Sequence, residues 1–250
     1  IISIGKIEKF FIRFKPSLVF NKLMKMIYHR RKHSKYSMFS LDFQKKNLYA
    51  NYILRNIHEP PDVFILVFSH FFVSVSDLKK IYNKTKATIL FWSADSAAFT
   101  GGCHFTWDCK GYMNNCGNCP GINSANPHDL TYRNMQLKQK TFEAIKLFPV
   151  YGTDRQKQML SESSLFKEKQ IFKAPVPIDK DLFNCVDKNN VRNELGLPLE
   201  KKILLIAVQE FLNVRKGFGI LLQSLKKLKD LLSSIERAEI LLVSCGNHFD

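Results

Sequence analysis

Four of the chain's six cysteines fall within 17 residues, spaced Cys103-x5-Cys109-x6-Cys116-x2-Cys119, in the stretch FTGGCHFTWDCKGYMNNCGNCPGI (99–122). Thiolate sulfur is the usual ligand of tetrahedral structural zinc, and a C-x2-C hook commonly supplies half of such a site. Little else in the stretch could hold it. Gly101, Gly102, Gly111, Gly117, Pro120 and Gly121 favour turns, and apolar side chains are few. A staple would supply the missing stability. Three readings compete: a structural zinc loop, reduced metal-free thiols, and disulfides. The last needs an oxidising compartment, for which the chain offers no signal. The upstream spacings of five and six residues match no standard zinc-finger pattern. Cys185 and Cys245 stand alone and read as small buried side chains.

Three other positions have the right chemistry in suggestive places. Asp95 closes the apolar run ATILFWSAD (87–95). If that run is a buried parallel strand, Asp95 sits at its carboxyl end, where open α/β sheets bind ligands. There it would bind substrate hydroxyls or orient a neighbour; capping the next turn is the plainer alternative. His104, beside the first cysteine, reads as a hydrogen-bonding group facing a cleft, a further metal ligand, or a packed loop residue. Arg215 and Lys216, in RKGF, stand between a strand pattern and a helix pattern. A lysine at a helix amino terminus suits a diphosphate, and the arginine could add a forked contact. The plainer alternative is a solvated pair on a loop.

The elements that must position these residues alternate in the α/β manner. PDVFILVFS (61–69), ATILFWSAD (87–95), FPVYGT (148–153) and KQIFKAPVP (169–177) read as strands. VSDLKKIYNKT (75–85), DLTYRNMQLKQKTFEAIKL (129–147) and DRQKQMLSESSLF (154–166) read as the helices between them. The Pro-bearing, polar segment 177–190 reads as a linker between a first domain (1–176) and a second (191–250). In the second, VRNELGLPLEK reads as a helix ended by Gly196 and Pro198. KKILLIAVQ (201–209), KGFGILLQSLKKLKDLLSS (216–234) and AEILLVSCG (238–246) form a strand-helix-strand crossover.

The net charge of +16 is unevenly spread: residues 1–60 hold 13 Lys/Arg against 3 Asp/Glu. The block KIEKFFIRFKPSLVFNKLMKMIYHRRKHSKY (6–36) mixes bases with Phe, Leu and Met. It reads as an interfacial helix on an anionic membrane or as an amphipathic packing helix. The longest apolar stretch, DVFILVFSHFFVSV, runs about 14 residues, short of the roughly 20 needed to span a bilayer. No secretory signal is apparent. A cytoplasmic location is therefore expected, with peripheral attachment to the inner face of the cytoplasmic membrane.

DSAAFTGGCHFTWDCKGYMNNCGNCP (95–120) resembles a signature of a branch of retaining, family 4 bacterial glycosyltransferases of the GT-B fold. SSLFKEKQIFKAPVPIDKDLF (163–183) looks like that family's interdomain segment. Residues 191–228 look like the opening of its nucleotide-sugar domain. The resemblance covers roughly residues 60–250. It implies two Rossmann-like parallel-sheet domains, both incomplete in this chain. It also implies sugar transfer from a nucleotide-diphosphate donor to a glycan acceptor, lipid-linked in surface polysaccharide synthesis, with no catalytic metal. Asp95 and His104 would then be catalytic, Arg215 and Lys216 would bind donor phosphate, and Thr100, Gly101 and Gly102 would border the acceptor cleft.

Some positions depart from that family. It often has a histidine just before the aspartate equated with Asp95, where this chain has Ala94. Its arginine upstream of the Lys-Gly pair is missing from EFLNV, leaving Arg215 to substitute. Its distal acidic pair would lie beyond residue 250, and its first strand before residue 1. The chain is therefore expected to be a central fragment, inactive alone. Two rival classes remain. One is a degenerate transferase acting as a scaffold. The other is a basic zinc-containing nucleic-acid-binding protein, disfavoured because the bases cluster away from the cysteines and no helix pairs with the C-x2-C hook.

Overall fold

A computed structural model describes residues 36, 39–41, 48–68, 72–211 and 213–246. All of the basic amphipathic block but Tyr36 lies outside these residues. Two compact units are present, Ile1–Val176 and Pro177–Asp250.

The first unit is an α/β unit with a four-stranded, all-parallel sheet in the order β1-β2-β3-β4. Its elements are α1 (Leu48–Arg55), β1 (Val63–Val67), α2 (Val75–Thr85), β2 (Thr88–Trp92), α3 (Leu130–Glu143), β3 (Leu147–Tyr151), α4 (Asp154–Glu162) and β4 (Phe172–Lys173). Strands that pair in chain order through crossovers of one hand place their helices on the same face. The core agrees. Leu78 and Ile81 of α2, Met135 and Phe142 of α3, and Leu160 of α4 pack with Ile89 and Phe91 of β2 in one apolar cluster. Burying side chains of this size stabilises by about 1.5–3 kcal/mol each. On the other face Val63, Ile65 and Val67 of β1 are exposed. The expected strand at 169–177 pairs only through Phe172 and Lys173, against Val150 and Tyr151.

Side-chain caps fix the helix starts. Ser74 and Asp77 form a capping box on α2, and the buried Asp77 also accepts from the Ala50 N–H at 3.0 Å, tying α1 to α2. Thr153 and Gln156 do the same for α4, and the Gln156 amide donates to the Ser93 carbonyl at 2.7 Å, tying α4 to the chain leaving β2. Each such cap is worth about 1 kcal/mol.

The second unit is a parallel pair, β5 (Lys202–Ala207) and β6 (Ile240–Cys245), in register from Lys202↔Ile240 to Ala207↔Cys245. It is preceded by α5 (Lys188–Glu194) and crossed over by α6 (Phe218–Leu231) and the short α7 (Ser234–Ala238). The Arg192 guanidinium closes the α5–β5 turn by donating to the carbonyls of Pro198, Leu199 and Lys201. No helix among the described residues is long and apolar enough to cross a membrane.

Candidate functional site

The chain leaves β2 with Asp95 as the cap of a 3-10 turn (Ser96–Ala98). One carboxylate oxygen accepts from the Ala97 N–H at 2.9 Å. The other meets Nδ1 of His104 at 2.7 Å, so the aspartate both caps the turn and holds the histidine. The second ring nitrogen of His104, Nε2, lies 2.8 Å from the Ser40 hydroxyl. If the Asp95 carboxylate takes the Nδ1 proton as its partner, Nε2 is left to accept from the Ser40 hydroxyl. Both ring nitrogens are thus committed, and His104 is not set as a metal ligand. The imidazole is 3% exposed. A histidine held between a carboxylate and a hydroxyl has a fixed tautomer and orientation, as proton-handling sites need.

Ser40 reaches His104 because the 39–41 segment lies against the cysteine-rich loop. Phe39 makes an antiparallel bridge with Cys103, and the Ser40 N–H donates to the Gly102 carbonyl at 2.8 Å. The glycine pair permits this approach. A Cβ on Gly102 would stand 2.3 Å from the Phe39 ring, and one on Gly101 would stand 2.6 Å from the Thr131 carbonyl oxygen. Thr100 is fully buried, donating to the Cys103 carbonyl at 2.7 Å and accepting from the Gly102 N–H. Thr100, Gly101 and Gly102 are buried and line the small cavity shared with the clustered cysteines.

The polar face of α3 holds the loop from the other side. Asp129 caps α3 by accepting from Thr131 and Tyr132, and its second oxygen accepts from the Cys119 N–H at 3.0 Å. Burial opposes ionisation of Asp129, but bonds from the Thr131 hydroxyl and the backbone N–H groups outweigh it and lower its pKa. Thr131 also accepts from the Gly117 N–H, and Asn134 donates to the Gly101 carbonyl. Lys138, 3% exposed, donates to the carbonyls of Ala97 (2.5 Å) and Thr100 (3.0 Å). Thr131, Asn134 and Lys138 recur at helical spacing on a buried face, and that stripe is legible in the sequence. Ser40 has no such signal, since only the fold brings it 64 residues along the chain to His104.

All four clustered cysteines, with Tyr36 and Phe39, line a cavity of about 20 Å³. None is in a disulfide. Burial pushes the Cys103 and Cys116 thiols up to about 12 and Cys119 to about 11, and charge on each neighbouring sulfur pushes the same way. The Lys138 ammonium works in the opposite direction on Cys116. Among the described residues, no three His, Cys, Asp or Glu side chains already stand at metal-ligating spacing.

In the second unit, Asn213 caps a 3-10 turn (Val214–Lys216), accepting from the Arg215 N–H at 3.1 Å. Gly217 follows at φ +72° and starts α6, which puts the exposed Arg215 and Lys216 beside that helix's amino terminus. Free N–H groups and the helix dipole favour an anion there. Cys185 and Cys245, expected to be buried, are both exposed. No protein-family model matches the chain, and no curated protein matches it significantly.

Proposed function

We propose that this chain belongs to a retaining glycosyltransferase of the GT-B kind, moving a sugar from a nucleotide-diphosphate donor to a lipid-linked glycan acceptor. One arrangement, repeated in two places, carries the reading. Each parallel sheet leads from a strand's carboxyl end into charged residues: Asp95 and His104 after β2, Arg215 and Lys216 after β5. That is where open α/β sheets bind substrates.

In this reading the Arg215–Lys216 turn and the α6 amino terminus neutralise the diphosphate as the nucleotide leaves. Asp95 and His104, bonded to each other and to Ala97 and Ser40, order the chain leaving β2 beside which the acceptor or donor would sit. An anionic membrane is the natural partner surface. The basic amino-terminal block supports this, as does a groove lined by Lys79, Lys80, Lys84 and Lys140 beside α2 and α3. The site would then work at the cytoplasmic face of the membrane. A non-catalytic scaffold is the second reading, favoured by the deep burial of His104.

The test uses the product of the complete open reading frame, offered a panel of nucleotide-diphosphate sugars and free nucleoside diphosphates. Saturable diphosphate binding, weakened about tenfold or more by Lys216→Ala, is expected, since one charge-assisted contact is worth about 1.5–3 kcal/mol. Sugar transfer should follow with one of the donors. Diphosphate binding without transfer would favour the scaffold. Absence of both would overturn the reading.

A further inference from the structure

The cysteine loop carries a second inference, which stands apart from any transferase activity. Cys103, Cys109, Cys116 and Cys119 are spread over 17 residues, yet all line one cavity of about 20 Å³. A space that small takes one atom-sized occupant. Backbone donors already face the sulfurs. The Gly101 N–H donates to Cys116 Sγ at 3.2 Å, and the Gly111 N–H to Cys109 Sγ at 3.4 Å. Such donors stabilise thiolate ligands and fix their orientation. A buried cation, Lys138, stands on the same side as Cys116.

Four sulfurs around one small space select a soft or borderline ion and exclude magnesium, calcium and manganese. We propose that these four cysteines bind a single Zn²⁺ as a tetrathiolate site, and that the ion staples the loop presenting His104. On binding, four S–H bonds break, four protons leave to solvent and four Zn–S bonds form, with no change of oxidation state. The site then carries a charge of −2, partly offset by Lys138. Because no three ligands already stand at coordinating spacing, the sulfurs turn inward about their side-chain bonds to reach the Zn–S distance of about 2.3 Å. The staple acts through Cys103. That residue bridges Phe39, whose neighbour Ser40 holds His104.

The test begins with the metal content of the full-length protein, purified without chelator after growth with zinc. One zinc per chain is expected. Replacement by Co²⁺ should give the visible bands of tetrahedral cobalt and an intense near-ultraviolet sulfur-to-cobalt transition. Cys109→Ser and Cys116→Ser should each lose the metal, while the double variant Cys185→Ser/Cys245→Ser should keep it. If the single variants fail to fold, the cobalt spectrum of the unaltered protein still decides. Chelation should speed proteolysis within 99–122 by about tenfold or more, as a local opening of the loop would. Several results would overturn the proposal: no stoichiometric metal, iron with sulfide, a disulfide among the four cysteines, zinc retained in both single variants, or a loop equally resistant after chelation.

Discussion

The cysteine-rich loop and the β5–α6–β6 crossover reach order by opposite means. The loop has few apolar side chains, yet Thr100, His104 and the helix residues facing it, Thr131, Asn134 and Lys138, are all buried. Hydrogen bonds hold it, each made by one named residue. The crossover is rich in Leu and Ile, yet Leu205 is 66% exposed, Ile220 72% and Leu231 82%, and no residue of α6 is buried. It is held by one ladder of paired backbone and by half-buried apolar side chains such as Leu221, Leu225 and Leu228 of α6. Apolar composition therefore says little about where a side chain ends up. What buries a residue is the backbone converging on it, and both the 39–41 segment and α3 converge on the loop.

It follows that single substitutions should cost far more in the loop than in the crossover. The largest effect is expected at Gly117, which has φ +90° and where a Cβ would stand 2.1 Å from the Pro127 carbonyl oxygen. Gly117→Ala should destabilise the first unit by about 3 kcal/mol or more through backbone strain and overlap. Leu205→Ala should change stability by no more than about 0.5 kcal/mol, as at other exposed positions. Denaturant midpoints of the two variants would measure the contrast. Similar losses for both would break it.

Next in size is Lys138→Met, which keeps the apolar stem and removes the ammonium. The carbonyls of Ala97 and Thr100 then lose a buried donor. The expected cost is about 2 kcal/mol, the range for hydrogen bonds made by a charged group. A neutral result by the same measurement would mean that these carbonyls find other partners, and that the loop depends less on α3 than its bonding implies.

The same contrast explains what could be read ahead of the structure. Strands at 63–67, 88–92, 202–207 and 240–245 are runs of Val, Ile, Leu and Phe, and their period and bounding turns announce them. Parallel pairing followed from the helices between them. β4 is shorter than its sequence suggests, because KQIFKAPVP has strand composition but pairs for only two residues. The exposed Cys185 and Cys245 defeat the rule that lone cysteines are buried. In the loop, sequence marks which residues are unusual but not what they touch. The Asp95–His104 contact spans nine residues and was within reach of a guess; the Ser40–His104 contact spans 64 and was not. Long-range polar contacts leave no period behind, and α3 shows the one exception, a polar stripe at helical spacing on its buried side.

The smallest effect sharpens the comparison through pH. Asp129 uses both carboxylate oxygens, one on the first turn of α3 and the other on the Cys119 N–H. Asparagine caps a helix about as well as aspartate but has a single acceptor oxygen. Asp129→Asn therefore keeps the cap and leaves the Cys119 N–H facing an amide donor, at a cost of about 1 kcal/mol. The folded pKa of Asp129 lies below its ordinary 3.8. The contribution of the ionised carboxylate is thus fully present above that value and disappears as pH falls through the lower, folded one. Unfolding free energies of the two proteins should differ by a constant amount at neutral pH, and the gap should close on the acid side of 3.8. A gap that stays open into acid would assign the loss to the shape of the asparagine. Closure would assign it to the charge that α3 directs at the loop, for which the crossover, held by its ladder, has no counterpart.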